Sequence, residues 1–197
     1  MARPSPALPP VAALLAALPA ACNRAPAEPD APPASSVTTP AAAPLAWDAP
    51  GAWTRLEAPP SGPQKASYRI NKTGNDKDDA EMNVFFFGTG AKGDPAPVFK
   101  GWLGQFDGAP EAKRATLDVK GFKVETVEVT GTYKIALTPP TRGHNHPPVQ
   151  MVKEHYRLYG AVVRTPDRGN WFFKLTGPDD TVQSATSALR GLFETLR

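Results

Sequence analysis

A single cysteine, Cys22, stands in a chain of 197 residues. The chain therefore cannot close an internal disulfide, and thiol redox chemistry has no second partner. Histidine is nearly as scarce, with His144, His146 and His155 the full set. Neither sign of charge dominates: the formal net charge is +3, and basic residues alternate with acidic ones in runs such as KVETVEV and KEHYR. Nucleic-acid binding needs a clustered basic face, so no nucleic-acid partner is expected. There is no HExxH and no GxSxG, and the glycine-rich stretch over residues 88–93 fits neither the GxxxxGK[ST] nor the GxGxxG spacing. These absences point away from an enzyme and from a bound cofactor. A hydrolase with scattered catalytic residues stays as an alternative without a motif behind it.

What is present is unevenly spread. Eleven of the 24 prolines fall in residues 1–46, a stretch whose only charged residues are Arg3, Arg24, Glu28 and Asp30. Residues 1–22 read MARPSPALPPVAALLAALPAAC. Arg3 supplies a positive start, residues 11–18 an apolar run, and Ala20 and Ala21 the small residues of a cleavage site. That order is the one a secretory signal follows, and the apolar run is well short of the ~20 residues needed to span a bilayer. Residues 23–46 are dominated by Ala, Pro, Ser and Thr without apolar periodicity. Frequent prolines block helix, and low hydrophobicity blocks collapse, so this segment reads as a tether.

The sole cysteine sits at the expected cleavage position. It resembles the lipobox of bacterial lipoproteins, in which the cysteine thiol is the nucleophile that takes the lipid and becomes the new N-terminus. The resemblance implies a lipid on Cys22, palmitate among its acyl chains, and a membrane as partner. The family usually has Leu three residues before the cysteine, where this chain has Pro19. A plain secreted protein cleaved near Ala20 is the alternative. Asn23 rather than Asp follows the cysteine, which by the same resemblance implies the outer membrane, facing the periplasm or the cell surface.

Residues 47–197 mix aromatic, β-branched and charged residues as a folded domain does, and a domain of about 150 residues buries roughly two-thirds of the surface of its unfolded chain. Trp47 and Trp53 bracket a Pro-Gly turn and read as core anchors. Period-2 patterning predicts strands over residues 65–70 and 80–88, the second carrying Phe85, Phe86 and Phe87, whose succession predicts a strand covered on both faces. Val98, Trp102 and Phe106 recur at helical spacing, with Phe99 and Leu103 beside them, so a short helix is expected over residues 98–106. Further strands are expected over 114–119, 122–130, 132–137, 156–165 and 170–176, the second and third joined at Gly131. In the 122–130 strand the apolar residues change sides midway, which points to a bulge or bend there. Val182, Ala185, Leu189, Leu192, Phe193 and Leu196 form one apolar stripe of a closing helix, with Asp179 and Asp180 at its positive end. Strands, a helix, more strands and a final helix predict an α+β domain, an antiparallel sheet with helices packed on it.

The WDAPGAW opening, the strand bearing Glu81 with the Gly-rich loop after it, the GWLGQF helix and the ending WFFKLTGPDDTVQSATSALRGLFETLR resemble small envelope proteins of the PsbP-like (Mog/PsbP) superfamily. Over residues 47–197 the resemblance implies an α/β/α sandwich. It transfers no photosystem or Ran binding, because no matched residue carries either.

Three places merit attention as sites. Asn75 to Glu81 gathers oxygen ligands, but the Gly and Glu positions of a calcium loop are unfilled, so a solvated turn is the simpler account. His144 and His146, two apart in a Pro-rich loop, hold a divalent metal only if a third ligand such as His155 arrives. Gln105 and Phe106, with the 88–97 loop, are the expected interaction surface for an unidentified envelope protein. The leading expectation is a membrane-anchored, non-enzymatic protein-binding or assembly-stabilising module. Metal or small-ligand binding through the His144/His146 loop is the second.

Overall fold

The computed structural model describes residues 44–108, 110–136 and 150–197. Cys22, the 23–43 part of the tether, His144 and His146 lie outside them. Seven strands form one sheet: β1 (Thr54–Leu56), β2 (Gln64–Ile70), β3 (Ala80–Phe86), β4 (Lys113–Val119), β5 (Phe122–Ala136), β6 (Gln150–Thr165) and β7 (Gly169–Pro178). Their spatial order is β1-β2-β3-β7-β6-β5-β4, and each neighbouring pair is antiparallel. Helix α1 (Pro95–Leu103) packs on one face and α2 (Asp179–Phe193) on the other, so the domain is α+β and an α/β/α sandwich.

Strand alternation divides the core in two. On the α2 side, Tyr68, Met82, Val84, Phe173 and Leu175 meet Val182, Leu189, Leu192 and Phe193 from the helix stripe. On the α1 side, Val127, Val129, Leu158, Val162 and Phe172 meet Phe99 and Trp102. Phe85 and Phe87 pack toward α1 and Phe86 toward α2, which is why three consecutive aromatics suit the third of seven strands. Trp53 is buried, and Trp47 donates to the Tyr68 hydroxyl while its ring meets Trp171 and Phe173 edge-on.

The packed chain is already underway at Leu45, which is buried in the α2-side core. Ala46 and Arg197 exchange both backbone hydrogen bonds at 3.0 and 3.1 Å, and Arg197 holds Asp48 with two nitrogens. The first and last described segments are thus clasped.

The expectation of two strands joined at Gly131 is corrected by the structure: β5 runs through from Phe122 to Ala136 as one strand. The apolar switch within it needs no bulge. Val124 faces the α2 side while Val127 and Val129 face the α1 side, and the register against β6 is unbroken from Lys123 to Gly131. Each half of the strand simply turns its apolar face to whichever helix lies over it.

The irregularity lies further on, where Gly131 pairs with Tyr156 and Tyr133 with Lys153, leaving one extra residue on β6. His155 occupies the bulge with φ +55°, a conformation that suits glycine and costs most other residues energy. His155→Gly is therefore expected to raise stability by about 0.5–1 kcal/mol, read as a higher urea midpoint with an unchanged slope. A lower midpoint would show that the histidine side chain holds the bulge by contacts that outweigh its backbone strain.

Candidate functional site

The 75–81 turn is built into the fold. Asp76 accepts from the backbone N–H (2.8 Å) and the hydroxyl (2.6 Å) of Thr181, satisfying a free donor in the first turn of α2. Asp78 accepts from Lys153 Nζ at 2.6 Å and the Tyr156 hydroxyl at 2.9 Å, and those bonds hold its carboxyl below the usual range. Asp79 accepts from the Lys72 N–H at 2.9 Å, and Glu81 from Ser67 and Asn83. Carboxylates engaged in this way tie the β2–β3 turn to α2 and β6. His155 is exposed, and among the described residues no group of three His, Cys, Asp or Glu side chains is arranged to hold a metal ion. Ser67 bonds Glu81 and Ser184 the Thr181 carbonyl, and no described serine is hydrogen-bonded to His155.

The glycine-rich loop leads into α1. It ends in a 3-10 turn over Gly90–Gly93, where a Cβ at residue 93 would stand 2.8 Å from the Gly88 carbonyl oxygen. The Gly93 carbonyl accepts from Asn170 at 2.8 Å, which ties the loop to β7. Asp94 caps α1 by accepting from the Ala96 N–H at 3.1 Å, and Pro95 opens the helix with the φ it prefers.

The chain then turns at Gly104 and runs beside β5 beyond the stretch that β4 covers. Asp107 N–H donates to the Thr132 carbonyl (2.9 Å) and Lys134 N–H to the Gln105 carbonyl (2.8 Å). This places Gln105 and Phe106 differently. Phe106 is buried and packs against the Tyr133 ring at 5.2 Å. One side of it forms the floor of a groove of about 590 Å³ between α1 and β4, lined by Lys100, Leu103, Pro110 and Arg114 among others. Gln105 turns the other way, under α1, where its side-chain oxygen accepts from Lys174 Nζ at 2.7 Å and from the Tyr133 hydroxyl at 3.2 Å.

Lys174 is the functional-type residue that strand patterning hides. It stands on β7 facing α1, with its ammonium 5.9 Å from the Trp102 ring centre and 5.5 Å from that of Tyr133. Among the described residues no carboxylate lies within ion-pair distance of it. Burial lowers its pKa to about 8, against which Glu81 acts from a distance. Burial also pushes the Tyr133 hydroxyl up, and Tyr156, stacked on Tyr133, is raised by burial and by its bond to Asp78. Gly160 makes the arrangement possible, because a Cβ there would stand 2.9 Å from two Trp102 ring carbons. Gly160→Ala is expected to lift Trp102 and cost about 1–2 kcal/mol, with a red shift in tryptophan emission. An unshifted spectrum at unchanged stability would show that the indole has room to yield.

The groove joins apolar Leu103, Phe106 and Pro110 to the cations Lys100 and Arg114, and Gln105, next to Phe106 in the chain, is held by Lys174 and Tyr133. That chemistry suits binding.

Among solved structures, the chain is similar to cyanobacterial PsbP (CyanoP) from Synechocystis sp. PCC 6803, a solution structure, with a TM-score of 0.43 and 10% identity over 83% of this chain and 96% of that one. No family model matches the chain, and no curated protein sequence matches it.

Proposed function

We propose that the protein is a non-enzymatic binding module of a cell envelope, held at a membrane by lipid on Cys22 and spaced from it by the Ala/Pro-rich segment. The groove beside α1 is the docking site for a segment of a partner protein. The observation that carries this reading is the groove itself: Leu103, Phe106 and Pro110 line one cleft with Lys100 and Arg114, and among the described residues no carboxylate contributes to that lining. Its size lies within the range of specific pockets, and its apolar floor with a few polar groups is the usual make-up of such sites. The position of Cys22 after a signal-like segment supports the anchor. Lipid attachment of this kind takes the whole chain to a surface without a membrane-spanning helix, and among the described residues no helix is long and apolar enough to span.

The test combines fractionation with crosslinked capture from native membranes. Wild type is expected in the membrane fraction with a specific partner. Cys22→Ala is expected to leave the membrane fraction and to lose labelling by a palmitate analogue. Ala96→Trp, which fills the groove from an exposed position on α1, is expected to stay in the membrane fraction and lose the partner. A partner retained by Ala96→Trp removes the groove from the reading. A wild-type chain that stays soluble and unlabelled removes the anchor.

A further inference from the structure

We infer that the segment received by the groove is acidic on both sides of an apolar residue; this rests on the docking reading above. The argument begins with the arginines. Arg69, Arg157, Arg164 and Arg197 are each paired with a carboxylate of this chain. Arg114, like Arg55 and Arg190, has no carboxylate partner among the described residues, but Arg114 lines the groove, its guanidinium over the Phe99 ring 5.9 Å from the centre. A guanidinium resting on an aromatic face keeps its in-plane N–H groups free, oriented as a fork that a carboxylate can meet with both oxygens. Lys100, on α1, likewise has no ion-pair partner among the described residues and is exposed.

These two cations come from different elements, α1 and β4, and both line the same cleft. Leu103, Phe106 and Pro110 line it with them. The cleft is therefore apolar at its floor and positive at two separate points of its lining. A fatty acid would satisfy one of these points with its single head group. A polypeptide can satisfy both at once, with an apolar side chain on the floor and an acidic residue toward each cation. A basic segment would bring like charges to both points, which disfavours it without any steric clash. The floor is also held in place: Phe106 packs on Tyr133, and Lys174 fixes the Gln105 side chain next to it. A floor ordered before binding costs less to use.

The experiment titrates the full chain in detergent with three probes and reads binding by calorimetry. The first is a capped eight-residue peptide with two Glu residues flanking a central Phe. The second replaces both Glu by Lys, and the third is decanoate. The acidic peptide is expected to bind, Arg114→Glu to weaken it at least tenfold, and Arg114→Gln to weaken it less. The double change Lys100→Glu with Arg114→Glu is expected to reverse the preference toward the Lys peptide. Near-UV circular dichroism identifies any variant that has lost its fold, and Arg114→Gln gives the same answer with a smaller perturbation. Equal binding of both peptides, binding of decanoate alone, or no peptide binding at all overturns the acidic assignment. If those results appear while Ala96→Trp still abolishes partner capture, the groove remains the docking site and only its chemistry is wrong. If Ala96→Trp leaves capture intact, the docking reading itself has failed.

Discussion

Lys174→Met is expected to stabilise the domain at pH 7 by about 2 kcal/mol. Burial lowers the pKa of this lysine from 10.5 to about 8. At pH 7 the ammonium is charged in both the folded and unfolded chain, and the folded chain bears the cost of keeping it from water. One pKa unit corresponds to about 1.4 kcal/mol, which puts the upper bound of that cost near 3 kcal/mol. The bonds to Gln105 and Tyr133 and the ring contacts offset about 1 kcal/mol of it. The sign follows from proton counts. Between about pH 8 and 10.5 the unfolded chain still binds the proton while the folded chain has released it, so wild-type stability rises with pH across that window. The raised pKa of Tyr133 opposes this at the upper end, because its hydroxyl ionises more readily in the unfolded chain. Methionine fills a similar space without the charge, so the variant should be more stable at pH 7 and lose the rise between pH 8 and 9.5. Urea midpoints at pH 7 and 9.5 decide it. A variant less stable than wild type at pH 7 would mean that the ammonium is well solvated under α1. The same substitution removes the donor that fixes Gln105, so a stabilised domain with weaker peptide binding is the expected pair of results.

Gly177→Ala should have the opposite and larger effect, a loss of about 3 kcal/mol. A Cβ at residue 177 would stand 2.5 Å from the Ala80 Cβ and 2.7 Å from its Cα, with Val182 Cγ2 at 3.4 Å. The obstruction is backbone, on a buried residue at the start of β3, and it cannot swing aside as the end of a long side chain would. Strands β3 and β7 would have to part just where the chain leaves the sheet for α2. Thermal or urea denaturation measures the loss, and Ala80→Gly in the same chain should recover part of it by removing the Cβ contact. A variant within 0.5 kcal/mol of wild type, as for an ordinary surface change, would show that this corner of the sheet is loosely packed.

Much of the architecture was legible where one rule acted alone. The closing helix was readable because its stripe, Val182 through Leu196, meets a single partner surface, and all six of its apolar residues are buried. The Phe85–Phe87 run was readable because successive strand residues face opposite layers. Strand β5 was not, since Gly131 resembles a joint and the side switch at Val127 resembles a defect. Both make sense only once α1 and α2 cover different stretches of the sheet, which no local pattern records. The extra residue proved to be His155 on the partner strand, where the sequence has no glycine to mark it. For the candidate site, Phe106 was read as the last residue of a helix over 98–106, but α1 ends at Leu103 and Phe106 instead pairs with Tyr133 of β5. Lys174 was not legible, because a lysine in NWFFKLT reads as the solvent side of a strand. Its burial is made by Trp102 and Gln105, some 70 residues earlier in the chain, entering over Gly160.

The clasp between Ala46 and Arg197 has a mechanical consequence. A pull applied at Pro44 reaches first Leu45, seated in the α2-side core, then the two Ala46–Arg197 backbone hydrogen bonds and the Asp48–Arg197 fork, and only after them a strand of the sheet. Once Leu45 leaves its seat in the core, those few bonds can open one after another. A domain loaded this way gives a short length of slack before any strand is pulled. The Arg197 end would be freed in the same event, so a fluorophore placed after Arg197 should report a pull at Pro44 before any strand yields.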